Sequence, residues 1–290
     1  DPDFNTITQT WIDIEVLRPA ALKFDKTTRR AMLDIGPDLQ YVLSNRDKYL
    51  MPLQKSSRKV LICITGGNTG LGFCNMTDEQ TADFVFQLKY VVETYKLDGV
   101  NYFDIEASYG KDGMPGVNPA SYAKLIKATK EALGDDKLVT VACDAESTDL
   151  LATAHDGIEA GKYIDYAWSG IFDKVVDAYA DGAELKPIAG LKQSKYGGAL
   201  LKTHNTQESA QLNPILTSLI KSLYRETQSG NVFAFWDMPT NSAGYEEGPK
   251  SAFNIVADAV TDWDWEYDGM ILLINVTWDD RNYGNFTKDW

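Results

Sequence analysis

Short apolar runs alternate along the chain with longer segments in which apolar residues return every three or four positions. The runs are Trp11-Ile-Asp-Ile-Glu-Val-Leu17 and residues 59–65, 99–105, 138–143, 163–168, 187–190, 231–236 and 270–276, which predicts about eight strands. Strands that alternate with helices build a parallel sheet covered by those helices. The helices between them announce their ends. Thr77-Asp-Glu-Gln80 is a capping box, followed by Phe84, Leu88, Val91, Val92 and Tyr95 on one face. Asn118-Pro119 pairs an N-cap with an N1 proline, and Tyr122, Leu125, Ile126 and Leu133 then form the stripe to be buried. Lys96-Leu-Asp-Gly99 closes one helix and leads straight into a strand. Eight such units predict an α/β fold, a (β/α)8 TIM barrel, with any active site at the C-terminal ends of the strands. No Pro/Gly/Ser-rich linker interrupts residues 1–290, so a single domain is expected. A doubly wound open sheet is the alternative, but no Gly-x-Gly-x-x-Gly turn follows the first strand.

Charge narrows the choice of partners. Against 28 Lys+Arg stand 42 Asp+Glu, a net charge of −14 that repels phosphate backbones and anionic membranes. Nucleic acid is therefore not an expected partner. No stretch of 18 apolar residues offers a membrane span, although a lipid anchor in a full-length precursor is compatible with the start at Asp1. Three cysteines cannot pair off into a disulfide framework, and Cys63 and Cys143 lie in apolar runs as core thiols. Two histidines leave little material for a zinc site or a Ser-His-Asp grouping. No metal and no organic cofactor is expected.

The segment Leu97-Asp-Gly-Val-Asn-Tyr-Phe-Asp-Ile-Glu-Ala-Ser-Tyr-Gly110 resembles glycoside hydrolase family 18, and within it the endo-β-N-acetylglucosaminidase branch. The family motif is Asp-Gly-x-Asp-x-Asp-x-Glu on the fourth barrel strand. The likeness extends to the Gly-rich Gly66-Gly-Asn-Thr-Gly-Leu-Gly-Phe73, to Ile164-Asp-Tyr-Ala-Trp168 and to Val232-Phe-Ala-Phe-Trp236, and covers roughly Trp11 to Val260. It implies a substrate-assisted reaction: the motif Glu protonates the glycosidic oxygen, and the substrate's own 2-acetamido group attacks while a neighbouring Asp orients it.

The motif positions here are altered. Residues two apart on a strand share a face. Counting from Asp98-Gly99, the inward positions are Asn101, Phe103 and Ile105, while Asp104 and Glu106 fall on the opposite parity. Two readings follow. A one-residue bulge after Gly99 would turn both carboxylates inward, with Glu106 as the acid and Asp104 orienting the acetamido group. In an unbulged strand, Phe and Ile occupy the two catalytic positions and supply no proton. Beyond Trp168 the chain reads Ser169-Gly-Ile-Phe172, where the resemblance leads one to expect an Asn and a Tyr that hold the acetamido group.

Aromatics make up 11% of the chain, and sugar clefts use aromatic platforms beside a few polar groups. Trp168 and Trp236 end strands at the expected mouth and are candidate platforms. Phe103 and Tyr109 join them, Tyr166 is expected to face the helices, and Asn101 and Asp237 are candidate hydrogen-bonding partners of a sugar. The expected partner is a glycan or glycoprotein containing N-acetylglucosamine, the N-glycan core first among them, bound without efficient hydrolysis. The alternative is an active retaining endo-β-N-acetylglucosaminidase that cleaves the chitobiose core. Either is expected to be secreted or held at a bacterial cell surface. Asn75-Met-Thr77 matches a glycosylation pattern but doubles as a helix cap, and is expected to be unmodified.

Overall fold

A computed structural model describes residues 13–143, 146–169, 187–202, 232–236 and 272–276. The chain enters as a long strand β1 (Ile14–Asp25), which turns back as the short antiparallel β2 (Arg30–Asp34). Three short helices, α1 (Pro37–Ser44), α2 (Arg46–Tyr49) and α3 (Met51–Lys55), lead to β3 (Lys59–Gly66). Then come α4 (Asp78–Thr94), β4 (Gly99–Phe103), α5 (Pro119–Leu133) and β5 (Leu138–Cys143). Four further strands follow: β6 (Tyr166–Ser169), β7 (Tyr196–Lys202), β8 (Val232–Trp236) and β9 (Leu272–Val276). Parallel pairing runs β1-β3-β4-β5-β6-β7-β8-β9 and returns from β9 to β1 through Ile14, Glu15 and Val16, giving the eight-stranded (β/α)8 barrel.

Two apolar layers follow from strand alternation. Among the described residues, Ile14, Val16, Leu61, Cys63, Phe103, Ala142 and Trp168 form an inner cluster drawn from β1, β3, β4, β5 and β6. The intervening residues, among them Val60, Ile62, Ile64, Val100, Tyr102, Val139 and Val141, pack outward against Phe84, Leu88, Tyr122 and Ile126 of α4 and α5. In β1 a register shift between Leu17 and Pro19 reverses the parity, so that Ile14 and Val16 face in while Ala20 and Leu22 join the outer layer. The free edge of β2 is covered by one side chain: Gln87 accepts from the Leu33 amide (3.0 Å) and donates to the Ala31 carbonyl (2.9 Å).

The N-terminal ends of the strands are fastened by a repeated device. Asp98 donates its amide to Val60 O (2.8 Å) and accepts the Val60 amide on its carboxylate (2.9 Å). Asp165 does the same with Val139, at 2.8 Å in both directions, and its carboxylate also receives Lys130 Nζ. Gly99 follows from close approach, since a Cβ there would lie 2.0 Å from Leu138 O. The Asp-Gly pair that opens the motif is therefore part of the barrel floor.

One expectation for a strand needs correcting. Residues 187–190 form no strand: the chain turns at Gly190 (φ +81), and β7 begins at Tyr196. The N-terminal strand and residues 272–276 both belong to the barrel, as direct neighbours. The predicted α4 capping box is present, with Thr77 and Gln80 exchanging hydrogen bonds.

Candidate functional site

The inner face of β4 carries no charge. Asn101 is wholly buried; it accepts from the Thr140 hydroxyl at 2.9 Å and donates to Cys63 Sγ at 3.5 Å, so its hydrogen bonds are spent within the barrel wall. Burial pushes the Cys63 thiol up to about 12. Above Asn101, Phe103 is 2% exposed and Trp168 1% exposed, and together they fill the barrel towards its C-terminal end. Among the described residues the buried Trp168 indole N–H has no hydrogen-bond partner, an omission that costs about 1–3 kcal/mol unless an acceptor arrives. Ile105, half-buried, packs against the same cluster. Tyr166 also packs there: it lies two residues before Trp168 and so shares its face, rather than turning to the helices.

No bulge interrupts β4. It pairs without a register shift with β3 (Cys63 opposite Asn101) and with β5 (Ala142 opposite Phe103). After Phe103 the chain makes a tight turn at Asp104, the Ile105 amide donating back to Phe103 O at 2.9 Å. The Asp104 side chain enters the outer layer, 3% exposed. There the Tyr109 hydroxyl donates to its two oxygens at 2.8 and 2.7 Å, and Cys74 Sγ lies 3.5 Å away. Tyr109 also accepts the Cys74 amide at 3.1 Å, so its hydroxyl ties β4 to the loop after β3 instead of offering a platform. Burial raises Asp104 above the ordinary carboxylate range, and burial beside Asp104 raises Cys74 and Tyr109 as well.

Glu106 is exposed, with its backbone in the left-handed region at φ +60. The structure thus brings Phe103, Ile105 and Trp168 together at the mouth and turns Asp104 away from it. Trp236 is the last residue of β8, and Asp237 lies outside the described residues. Asn75 is buried, its amide donating to Gly70 O and Pro115 O at 2.7 Å each, so its nitrogen is committed to the fold.

Beyond the strands, the loops after β3 and β4 form a wall. Gly66 N donates to Ile105 O (2.8 Å), Asn68 N to Glu106 O (2.8 Å) and Gly70 N to Ala107 O (3.0 Å), tying the two loops together beyond the strand ends. A Cβ at Gly66 would sit 2.3 Å from Ala107 N, and one at Gly72 2.5 Å from Ala107 Cβ. The β1–β2 hairpin leans on the same wall, through Phe24 N to Thr69 Oγ1 (2.9 Å) and Lys26 to Asp112 (2.8 Å). Sequence reasoning missed Asn68 and Ser108, whose only signal is their place beside the Gly-rich run and the motif.

The site is thus a parallel barrel with an Asp-Gly floor on β4 and aromatic side chains towards its C-terminal end. The chain belongs to the glycosyl hydrolases family 18, whose profile matches residues 32–282, and within it is endo-β-N-acetylglucosaminidase-like. It is 34% identical over 168 residues to endo-β-N-acetylglucosaminidase F1 of Elizabethkingia meningoseptica, covering 56% of this chain and 49% of that protein. It is 27% identical over 202 residues to endo-β-N-acetylglucosaminidase of Flavobacterium sp. (strain SK1022), covering 69% and 60%. The chain thus spans about half to three fifths of the length of these curated relatives. Among solved structures, the fold is shared with Bacteroides thetaiotamicron EndoBT-3987 in complex with Man9GlcNAc2Asn (TM-score 0.55, 23% identity, 72% of this chain and 55% of that one). It is shared too with a chitinase from Bacteroides thetaiotaomicron (TM-score 0.60, 15% identity, 91% and 93%). Among the described residues no group of three His, Cys, Asp or Glu side chains is arranged to hold a metal ion, and no helix is long and apolar enough to cross a membrane.

Proposed function

We propose that this chain binds glycans containing N-acetylglucosamine, the N-glycan core first among them, without hydrolysing them efficiently. The observation that carries the reading is the identity of the three inward positions of β4: Asn101, Phe103 and Ile105. Substrate-assisted cleavage needs a proton donor within hydrogen-bond reach of the glycosidic oxygen and a carboxylate to orient the acetamido group. Phe103 and Ile105 have neither to give. Asp104 is held on the far side of the strand by Tyr109 and Cys74. What supports a glycan as ligand is the family itself, together with relatives named as endo-β-N-acetylglucosaminidases. We infer a place of action outside the cell, secreted or at a bacterial surface, where glycoproteins are met.

The test is incubation of high-mannose and complex N-glycoproteins with the protein at high concentration, followed by mass spectrometry, with calorimetry on separately prepared free glycans. Binding with no glycan released is the expected outcome. Release of glycan one N-acetylglucosamine short, abolished in Glu106→Gln, would overturn the reading and make Glu106 the acid.

A further inference from the structure

Phe103 and Trp168 plug the barrel, so a ligand arriving at the mouth meets the lip above them first. On that lip three exposed residues without a glycine's freedom hold left-handed backbones: Asn68 (φ +58), Glu106 (φ +60) and Ser108 (φ +56). Such conformations are unfavourable for side chains other than Gly, Asn or Asp, and they concentrate at binding and catalytic sites. Their neighbours hold them in place. The Asn68 amide nitrogen of the backbone donates to Glu106 O at 2.8 Å, the Ser108 hydroxyl donates to Asn68 Oδ1 at 2.9 Å, and Lys111 Nζ donates to Asn68 O at 2.7 Å. With Oδ1 engaged, the Asn68 side-chain NH2 is left as a donor. Among the described residues the Glu106 carboxylate has no hydrogen-bond or ion-pair partner and is left as an acceptor. The two residues are joined by that backbone bond, and Glu106 follows Ile105, which packs against the inner cluster.

An unengaged donor and an unengaged acceptor, on two exposed residues joined by a backbone hydrogen bond, suit the hydroxyls of a sugar, which donate and accept from one atom. We propose that Asn68 and Glu106 form a polar subsite on the lip that holds hydroxyls of a neutral hexose next to the sugar at the mouth. The proposal rests on the glycan-binding reading and gives Glu106 a part in recognition. The subsite forms hydrogen bonds only; no bond of the ligand is broken.

Glycine substitutions test it without disturbing the fold, because glycine accepts the left-handed backbone. Calorimetry compares wild type, Asn68→Gly, Glu106→Gly and the double variant against N,N′-diacetylchitobiose and a Man9GlcNAc2 glycan, with thermal unfolding recorded in parallel. The expected result is at least a tenfold loss of affinity for the mannose-bearing glycan in each single variant, less than the sum in the double variant, no change for the disaccharide and an unchanged or raised Tm. Equal affinities for the larger glycan in all four proteins would overturn the subsite while leaving the glycan-binding reading intact. Wild type that binds neither glycan would overturn both.

Discussion

Asp104→Asn is the perturbation that most directly probes the turn at the end of β4. The carboxyl is buried among neutral donors, the Tyr109 hydroxyl and the Cys74 thiol, with the Ser147 hydroxyl close by, and burial raises it above the ordinary range. In the unfolded chain the same group ionises in the ordinary aspartate range. Between those two values the native state holds one proton more than the unfolded state. Stability therefore falls as pH rises through that window, by about 1.4 kcal/mol for each pH unit. It is fully retained below the ordinary aspartate range. Asparagine keeps an acceptor for Tyr109 and cannot ionise, so the variant lacks this slope. The assay is urea unfolding of both proteins from pH 3.5 upward, plotted as the difference in stability. Exposed pairs with lowered carboxyls, Asp34 with Lys23 and Asp83 with Arg30, have the opposite sign and cancel in the difference. The expected curve has the wild type losing ground to Asp104→Asn above the aspartate range, and a thermal scan shows the same trend at roughly 2–5 °C per pH unit. Parallel curves, or a wild type that gains on the variant as pH rises, would refute the reasoning, since the carboxylate would then be ionised and held by its donors.

Phe103→Ala should cost about 3–5 kcal/mol in denaturant unfolding, because the ring is enclosed by the inner cluster and its removal leaves a cavity. Asp165→Ala strips the Val139 amide and Lys130 of their acceptor and should cost about 1.5–3 kcal/mol. Glycan affinity measured by calorimetry should stay unchanged in that variant, because the lesion lies at the opposite end of the barrel. Gly66→Ala forces a Cβ against the Ala107 backbone and should lower Tm while weakening glycan binding, both read on the same preparation.

The parts legible in the sequence were those where one rule acts alone. β3, β4 and β5 are apolar runs buried on both faces, and α4 and α5 carry their own caps, so local pattern and tertiary role agree. β1 was seen only in its first half, because Pro19 and the bulge break its alternation and the remainder is read out of phase. β7 was missed for Gly197-Gly198, which weaken a strand signal, while the apolar Pro187–Gly190 imitated one. At the candidate site, period-two counting from Asp98-Gly99 placed Phe103 inward, as the inner cluster has it. The left-handed backbones of Glu106 and Ser108 have no signature in residue type, since they are imposed by the neighbouring loop.

The floor clasps of Asp98 and Asp165 bear on how such a protein can arise. The letters that most readily betray its ancestry, Asp98-Gly99 and Asp165-Tyr-Ala-Trp168, include the fastenings that hold neighbouring strands in register. Chemistry in this family belongs to the other rim, four and six residues beyond Gly99. Under the reading proposed above, a proton donor exchanged for a hydrocarbon would leave the strand in place and the lineage's recognisable spelling intact. Kinship read from that spelling measures inheritance of a scaffold, and says little about whether the scaffold still turns over a substrate.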